Sequence, residues 1–264
     1  MSRQNRDGRV LFVGHSYYHA WYASRALRQK GWKADVLNWD ASHENRAFYH
    51  GDDFTFEYGG AGDVARQLAF YARSLRGYDI FHFSNAHGMQ FGNYLAGIAR
   101  RLGRPGADVA LLKRFGKRIV YSNNGCLDGV SQTRFAQWGS TPVCNECAWR
   151  TVPEVCSDER NLAWGRMRNR LADYQITVGG NRADFNDDPS VHEVPQFYCL
   201  DPEVWHPDLD VPQHRRLDIP GEVVKIYHAV GNFDARTSGG VNLKSTHIYV
   251  PPVSYTHLTL PTKA

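Results

Sequence analysis

Arg9-Val10-Leu11-Phe12-Val13-Gly14 is the stretch on which the fold turns. Four consecutive apolar residues closed by glycine fit a strand covered on both faces, since a half-exposed strand would alternate apolar and polar residues. A helix-length stretch from about Ala20 to Lys30 follows and stops at Gly31, and the apolar pattern restarts over Ala34 to Trp39. The predicted opening is strand, loop, helix, strand. The unit then repeats. Val64, Leu68, Tyr71 and Leu75 keep helical spacing within Asp63 to Leu75, ahead of Gly77, and Asp79-Ile80-Phe81-His82-Phe83 reads as the next strand.

Farther along, Leu95 to Leu102 predicts a helix, and Lys117-Arg118-Ile119-Val120-Tyr121 a strand ahead of Asn123-Asn124-Gly125. A cysteine-rich insertion, residues 126–156, comes next. Leu162 to Asp173 then predicts a helix, Tyr174-Gln175-Ile176-Thr177-Val178 a strand, and Val191-His192-Glu193-Val194 another. Strands separated by helix-length segments pair in parallel, with helices packed on the sheet's two faces. The predicted fold class is therefore α/β, a Rossmann-like parallel sheet flanked by helices over residues 1–195.

Residues 196–221 carry Pro202, Pro207, Pro212 and Pro220 with little periodicity, and predict an interdomain linker. Val223-Val224-Lys225-Ile226-Tyr227-His228 starts a fresh strand, so residues 222–252 are read as the opening of a second, truncated Rossmann-like domain. Residues 253–264 look like the in-frame translation of a sequencing adapter and are set aside from fold reasoning. A second domain ending after one strand could not bury its apolar face, which agrees with truncation.

At 264 residues and 42% hydrophobic, the chain is long enough to bury a substantial core. Met1 to Arg9 has no apolar secretory region, and no apolar run approaches the roughly 18 residues of a membrane span, so a cytoplasmic location is expected. The net charge of +4 is spread along the chain and argues against a nucleic-acid partner. In open parallel sheets ligands sit beyond the carboxyl ends of the strands. The loops there are Gly14-His15-Ser16, Asn85-Ala86-His87-Gly88 and Ser122-Asn123-Asn124-Gly125-Cys126, each combining glycine with small polar groups. One glycine after the first strand is not the three-glycine dinucleotide fingerprint, which excludes NAD as the expected cofactor.

Together with Val194-Pro195-Gln196-Phe197-Tyr198-Cys199-Leu200-Asp201-Pro202-Glu203-Val204-Trp205-His206-Pro207, these loops resemble the GT-B glycosyltransferases, most closely family 4. The family closes its first domain with a valine-proline pair, a spacer, an aspartate and an aromatic-x-proline. The resemblance spans most of residues 9–250. It implies an acceptor-binding amino-terminal domain, a nucleotide-sugar donor as substrate, a sugar or lipid-linked acceptor, and a retaining transfer without a catalytic metal. The acceptor side would be formed by Gly14, His15, Ser16, His87, Asn124 and Gly125. Lys244, in Lys244-Ser245-Thr246, matches the family's donor-phosphate lysine, and Arg236 is the substitute for its second basic residue. The family often has a histidine where this chain has Asn124, so no residue is assigned as catalytic. The fragment is expected to be inactive, because the acidic residue that completes the donor site would lie beyond residue 252.

Cys126, Cys144, Cys147 and Cys156 supply four thiolates within the insertion, a set that suits tetrahedral zinc in a folding role. Only one C-x-x-C knuckle is present, so reduced thiols are the alternative. His15 and His19, four apart, either flank a site or pack ordinarily. Trp138, Trp149 and Trp164 are read as local packing. The basic run Arg100-Arg101-Leu102-Gly103-Arg104 with Lys113-Arg114 and Lys117-Arg118 is read first as a solvated face, because no broad apolar stripe is evident beside it. Peripheral contact with anionic lipid, as in some acceptor domains of this fold, is the alternative. The competing function is a non-catalytic carbohydrate- or protein-binding module organised by a zinc-binding insertion. A nucleotide-sugar epimerase or dehydrogenase would need a dinucleotide fingerprint and a Tyr-x-x-x-Lys helix that the sequence lacks.

Overall fold

The computed structural model describes residues 8–14, 19–38, 51–56, 60–84, 87–89, 92–122, 129–137, 144, 147–177, 184–194 and 203. The expected linker, second domain and adapter-like tail lie outside these residues, apart from Glu203. Two compact units are present, residues 8–131 with 158–203 and residues 132–157.

The first unit is one seven-stranded sheet. Its strands are β1 (Arg9–Val13), β2 (Lys33–Asn38), β3 (Phe54–Thr55), β4 (Ile80–Ser84), β5 (Arg118–Ser122), β6 (Tyr174–Thr177) and β7 (Val191–Glu193). The spatial order is β3-β2-β1-β4-β5-β6-β7, and every neighbouring pair is parallel. The helices of this unit are α1 (His19–Gln29), α2 (Ala61–Gly77), α3 (Gly92–Arg101), α4 (Ala107–Arg114) and α6 (Asp158–Leu171). This is the α/β, Rossmann-like class read from the sequence.

Both faces of the central strands are buried, which is why β1 reads as an unbroken apolar run. On one face Leu11, Val13, Leu37, Phe81, Phe83, Ile119 and Tyr121 pack with Phe70 and Tyr71 of α2, Val109 and Leu112 of α4, and Trp164, Met167 and Leu171 of α6. On the other face Val10, Phe12, Ala34 and Val36 pack with Ala20 and the half-buried Trp21 and Leu27 of α1. Each fully buried Leu or Phe contributes on the order of 1.5–3 kcal/mol relative to exposure, so these two layers are what hold the sheet flat against its helices.

The amino ends of the strands are tied by charge. Arg9 donates from Nε and Nη2 to the two carboxylate oxygens of Asp79, at 2.8 and 2.7 Å, and from Nη1 to the Arg76 carbonyl. Asp173 accepts from the Ile119 amide at 2.8 Å and pairs with Lys113 at 3.3 Å, and Lys117 donates to the Tyr78 carbonyl. These contacts fix where β1, β4, β5 and β6 begin.

In the second unit, α5 (Gln132–Ala136) precedes a 3-10 turn over Ala148–Thr151. Gln132 Nε2 donates to the carbonyls of Arg150 and Cys156, at 3.0 and 3.1 Å, bringing the ends of the described segment together. Trp149 is 53% exposed, which corrects the expectation that it packs locally.

Candidate functional site

β1 is flanked by β2 on one side and β4 on the other, so the chain winds outward in both directions from the β1/β4 boundary. In open parallel sheets such a boundary is where connections diverge to opposite faces and ligands sit beyond the carboxyl ends of the strands. What lines that edge is therefore the first place to seek chemistry.

Gly14 closes β1 with φ 85°, the left-handed region that glycine enters without penalty, and its amide donates to the Leu37 carbonyl at 2.9 Å. On the neighbouring strands, Ser84 and Ser122 end β4 and β5 in register, are both buried, and share a hydrogen bond between their hydroxyls. The loop after β4 carries His87. Its exposed imidazole stacks on Trp164 of α6, with ring centroids 4.0 Å apart, and its carbonyl accepts from the Tyr121 hydroxyl at 3.2 Å.

That loop is anchored from below by Asp108, in the first turn of α4. Its Oδ2 accepts the Met89 amide at 2.6 Å, and a Cβ added to Gly88 would come within 2.5 Å of the same oxygen. Only glycine lets the backbone approach the carboxylate so closely. Burial pushes the Asp108 carboxyl above the ordinary carboxylate range, and the amide hydrogen bonds oppose that rise. The Tyr71 hydroxyl donates to the Asp108 carbonyl at 2.7 Å, which ties the same turn to α2.

The segment after β5 is held in a similar way. Asn161 donates to the Val130 carbonyl at 2.9 Å, and Asp184 accepts from both the amide and the hydroxyl of Ser131, at 2.7 and 2.8 Å. Beneath His87 the Arg168 guanidinium is fully buried, 5.0 Å from the Tyr121 ring centroid and 5.7 Å from that of Trp164. This is cation–π stacking inside the core. His19 and His82 are also buried, and desolvation lowers each to about 4, so both imidazoles are neutral near pH 7. His82 packs on Phe12 with centroids 5.1 Å apart.

Of the residues expected on the acceptor side, Gly14 and His87 are described, and each follows one of the two strands at the reversal of strand order. His15, Ser16, Asn124 and Gly125 lie outside the described residues, as do Arg236 and Lys244. Cys126 is outside them too. Cys156 Sγ lies 3.3 Å from Gln132 Nε2, and no group of three or more His, Cys, Asp or Glu among the described residues is placed to hold a metal ion. The described thiols do not form a zinc set by themselves, and zinc enters no step below.

Ser84, Ser122, Asp108 and Asp184 were not singled out from sequence. The two serines left a legible trace, a small polar residue closing an apolar run in Phe83-Ser84 and Tyr121-Ser122. The two aspartates left none, since their partners are 19 and 53 residues away. Trp164 packs in the core as read from sequence, and it also stacks on the His87 ring and meets Tyr121 edge-on at 5.5 Å.

No protein-family model matches this chain, and no curated protein matches it at a significant level. Among the described residues no helix is long and apolar enough to cross a membrane.

Proposed function

We propose that the sheet unit is the acceptor-binding half of a nucleotide-sugar-dependent glycosyltransferase of the GT-B kind, similar to family 4. The observation that carries this reading is the carboxyl edge at the β1/β4 reversal. There Gly14 and His87 follow the adjacent strands β1 and β4, and Ser84 and Ser122 pair their hydroxyls at the ends of β4 and β5. Hydroxyls, amides and an imidazole between them offer both donors and acceptors to sugar hydroxyls. The loops that carry them are fixed by the half-buried carboxylates of Asp108 and Asp184, and so meet a ligand with less entropy of ordering to lose.

Transfer requires a leaving diphosphate to be neutralised while the anomeric carbon gains positive character. In this proposal Lys244, with Arg236 as its partner, meets the diphosphate, and the sheet unit presents the acceptor hydroxyl. His87 orients that hydroxyl and does not need to titrate for this role. The absence of a G-x-G-x-x-G after β1 favours a sugar acceptor over a dinucleotide at the edge.

The test is a transfer assay on the chain extended through its own uninterrupted reading frame past Pro252, with a panel of nucleotide-sugars. Turnover of one donor, reduced at least tenfold by Lys244→Ala and by His87→Ala, is the expected result. Absence of turnover with every donor, together with saturable NAD binding, would overturn the assignment.

A further inference from the structure

His87 is held at two points. Its imidazole lies on the Trp164 indole, with ring centroids 4.0 Å and planes 26° apart, and its carbonyl accepts from the Tyr121 hydroxyl at 3.2 Å. The loop beyond it is fixed as well, because the Met89 amide donates to Asp108. Trp164 is buried in the core, with Tyr121 edge-on at 5.5 Å and the fully buried Arg168 guanidinium 5.7 Å from its ring. His87 is nonetheless exposed. An exposed ring laid on a buried one makes a fixed planar surface.

Two other histidines show what this arrangement adds. His82 stacks on Phe12 inside the core. His192 stacks on Tyr174 with centroids 4.0 Å apart, but there both residues are exposed and the pair bridges β6 and β7. At His87 the core backs the exposed imidazole, and the residue follows β4 beyond the strand ends, where ligands of open parallel sheets sit. A hydrogen bond needs one ring nitrogen in place. The stack on Trp164 fixes the whole plane, which suits a flat ligand.

We infer that His87 selects its ligand through the face of its ring: it is a stacking platform for the apolar face of a pyranose, and Trp164 is the positioning residue that holds the platform. A pyranose carries hydroxyls around its rim and axial C–H groups on its faces, and those hydrogens, partially positive, lie favourably on the negative face of an aromatic ring. A platform already held in place loses little freedom when the ligand arrives. The inference rests on the carboxyl edge being the acceptor site. Within that reading, His87 orients the acceptor hydroxyl by holding the ring that bears it.

The test is saturation-transfer NMR of the 264-residue chain with methyl β-glucopyranoside, methyl β-galactopyranoside and methyl α-mannopyranoside, and with sorbitol as a polyol that has no ring. At least one pyranoside should bind, with saturation strongest on the axial protons of one ring face, and sorbitol should not. His87→Phe keeps a flat ring without its nitrogens and should bind within about twofold of the parent, whereas His87→Gln keeps hydrogen-bonding groups without the ring and should bind about fivefold more weakly. The side chain is exposed, so thermal unfolding of both variants should match the parent. His192→Gln, which removes the other exposed stack, should bind like the parent. Trp164→Leu should abolish the upfield ring-current shift of the His87 imidazole protons and weaken binding as His87→Gln does, and Trp164→Phe should restore both. The platform is overturned if His87→Phe binds no better than His87→Gln, or if sorbitol binds as well as the pyranosides. Binding of geranyl phosphate and of no pyranoside would also overturn it while leaving the transfer reading in place. No saturable binding of any of these ligands would remove both.

Discussion

The two ends of the sheet use carboxylates in different ways. At the amino end Asp79 faces Arg9 across the starts of β1 and β4, both about half exposed, and the Arg9 guanidinium holds the Asp79 carboxyl below its ordinary range. At the carboxyl end Asp108 is withdrawn from water, has no cation among the described residues, and spends its charge on the Met89 amide. The first arrangement aligns strands and tolerates solvent. The second fixes a loop in place and leaves the His87 side chain that this loop carries exposed. Similar chemistry therefore serves register at one end and presentation at the other.

Four substitutions would break or sharpen that contrast. Gly88→Ala should cost the most, about 2–3 kcal/mol, since its methyl meets a carboxylate that cannot retreat. Paired with Asp108→Ala, the loss should be less than additive, because the second change removes the atoms the methyl strikes; chemical denaturation of the four proteins measures the coupling. Asp108→Ala alone should cost about 1–2 kcal/mol by leaving the Met89 amide without its acceptor, with faster hydrogen exchange there. Asp108→Asn keeps an acceptor oxygen and loses the charge. Burial raises the folded-state value of Asp108, so the native protein is penalised as pH rises from the ordinary carboxylate range through that raised value. The stability of Asp108→Asn relative to the parent should therefore improve over the same window.

Asp79→Asn should show the opposite sign and the smallest effect. The folded-state value is depressed, so the ion pair contributes above the ordinary carboxylate range and its contribution is lost as pH falls through the depressed value. With both partners open to solvent, the loss near pH 7 should stay below about 1 kcal/mol and shrink in high salt. A difference for Asp79→Asn as large as that for Asp108→Ala would remove the contrast between the two ends.

Much of the architecture was legible because parallel strands announce themselves. The runs at Val10, Ala34, Ile80, Ile119, Gln175 and Val191 all became strands within a residue or so of their expected limits, most plainly β1, where burial on both faces demands uninterrupted apolar character, while β7 is legible despite the exposure of His192 and Glu193. β3 was missed because Phe54–Thr55 is too short to carry a period, and α4, only eight residues long directly after Pro105-Gly106, was left unassigned. The helix expected from Leu162 begins four residues earlier, at Asp158-Glu159, whose acids favour a helix start and were available as a signal. For the site, Gly14 and His87 were readable from their place after strands. Asp108, Asp184 and the seat of Trp164 were not, because each depends on a partner brought close only by folding.

The most direct measurement is heteronuclear NMR of the chain titrated with a panel of mono- and disaccharide acceptors. Shifts confined to Gly14, Ser84, His87, Met89, Ser122 and the Trp164 indole, with Arg9, Asp79 and Asp173 unmoved, are the expected result. Shifts centred on the amino end or on residues 132–157, or no saturable change with any sugar, would contradict a sugar-binding carboxyl edge.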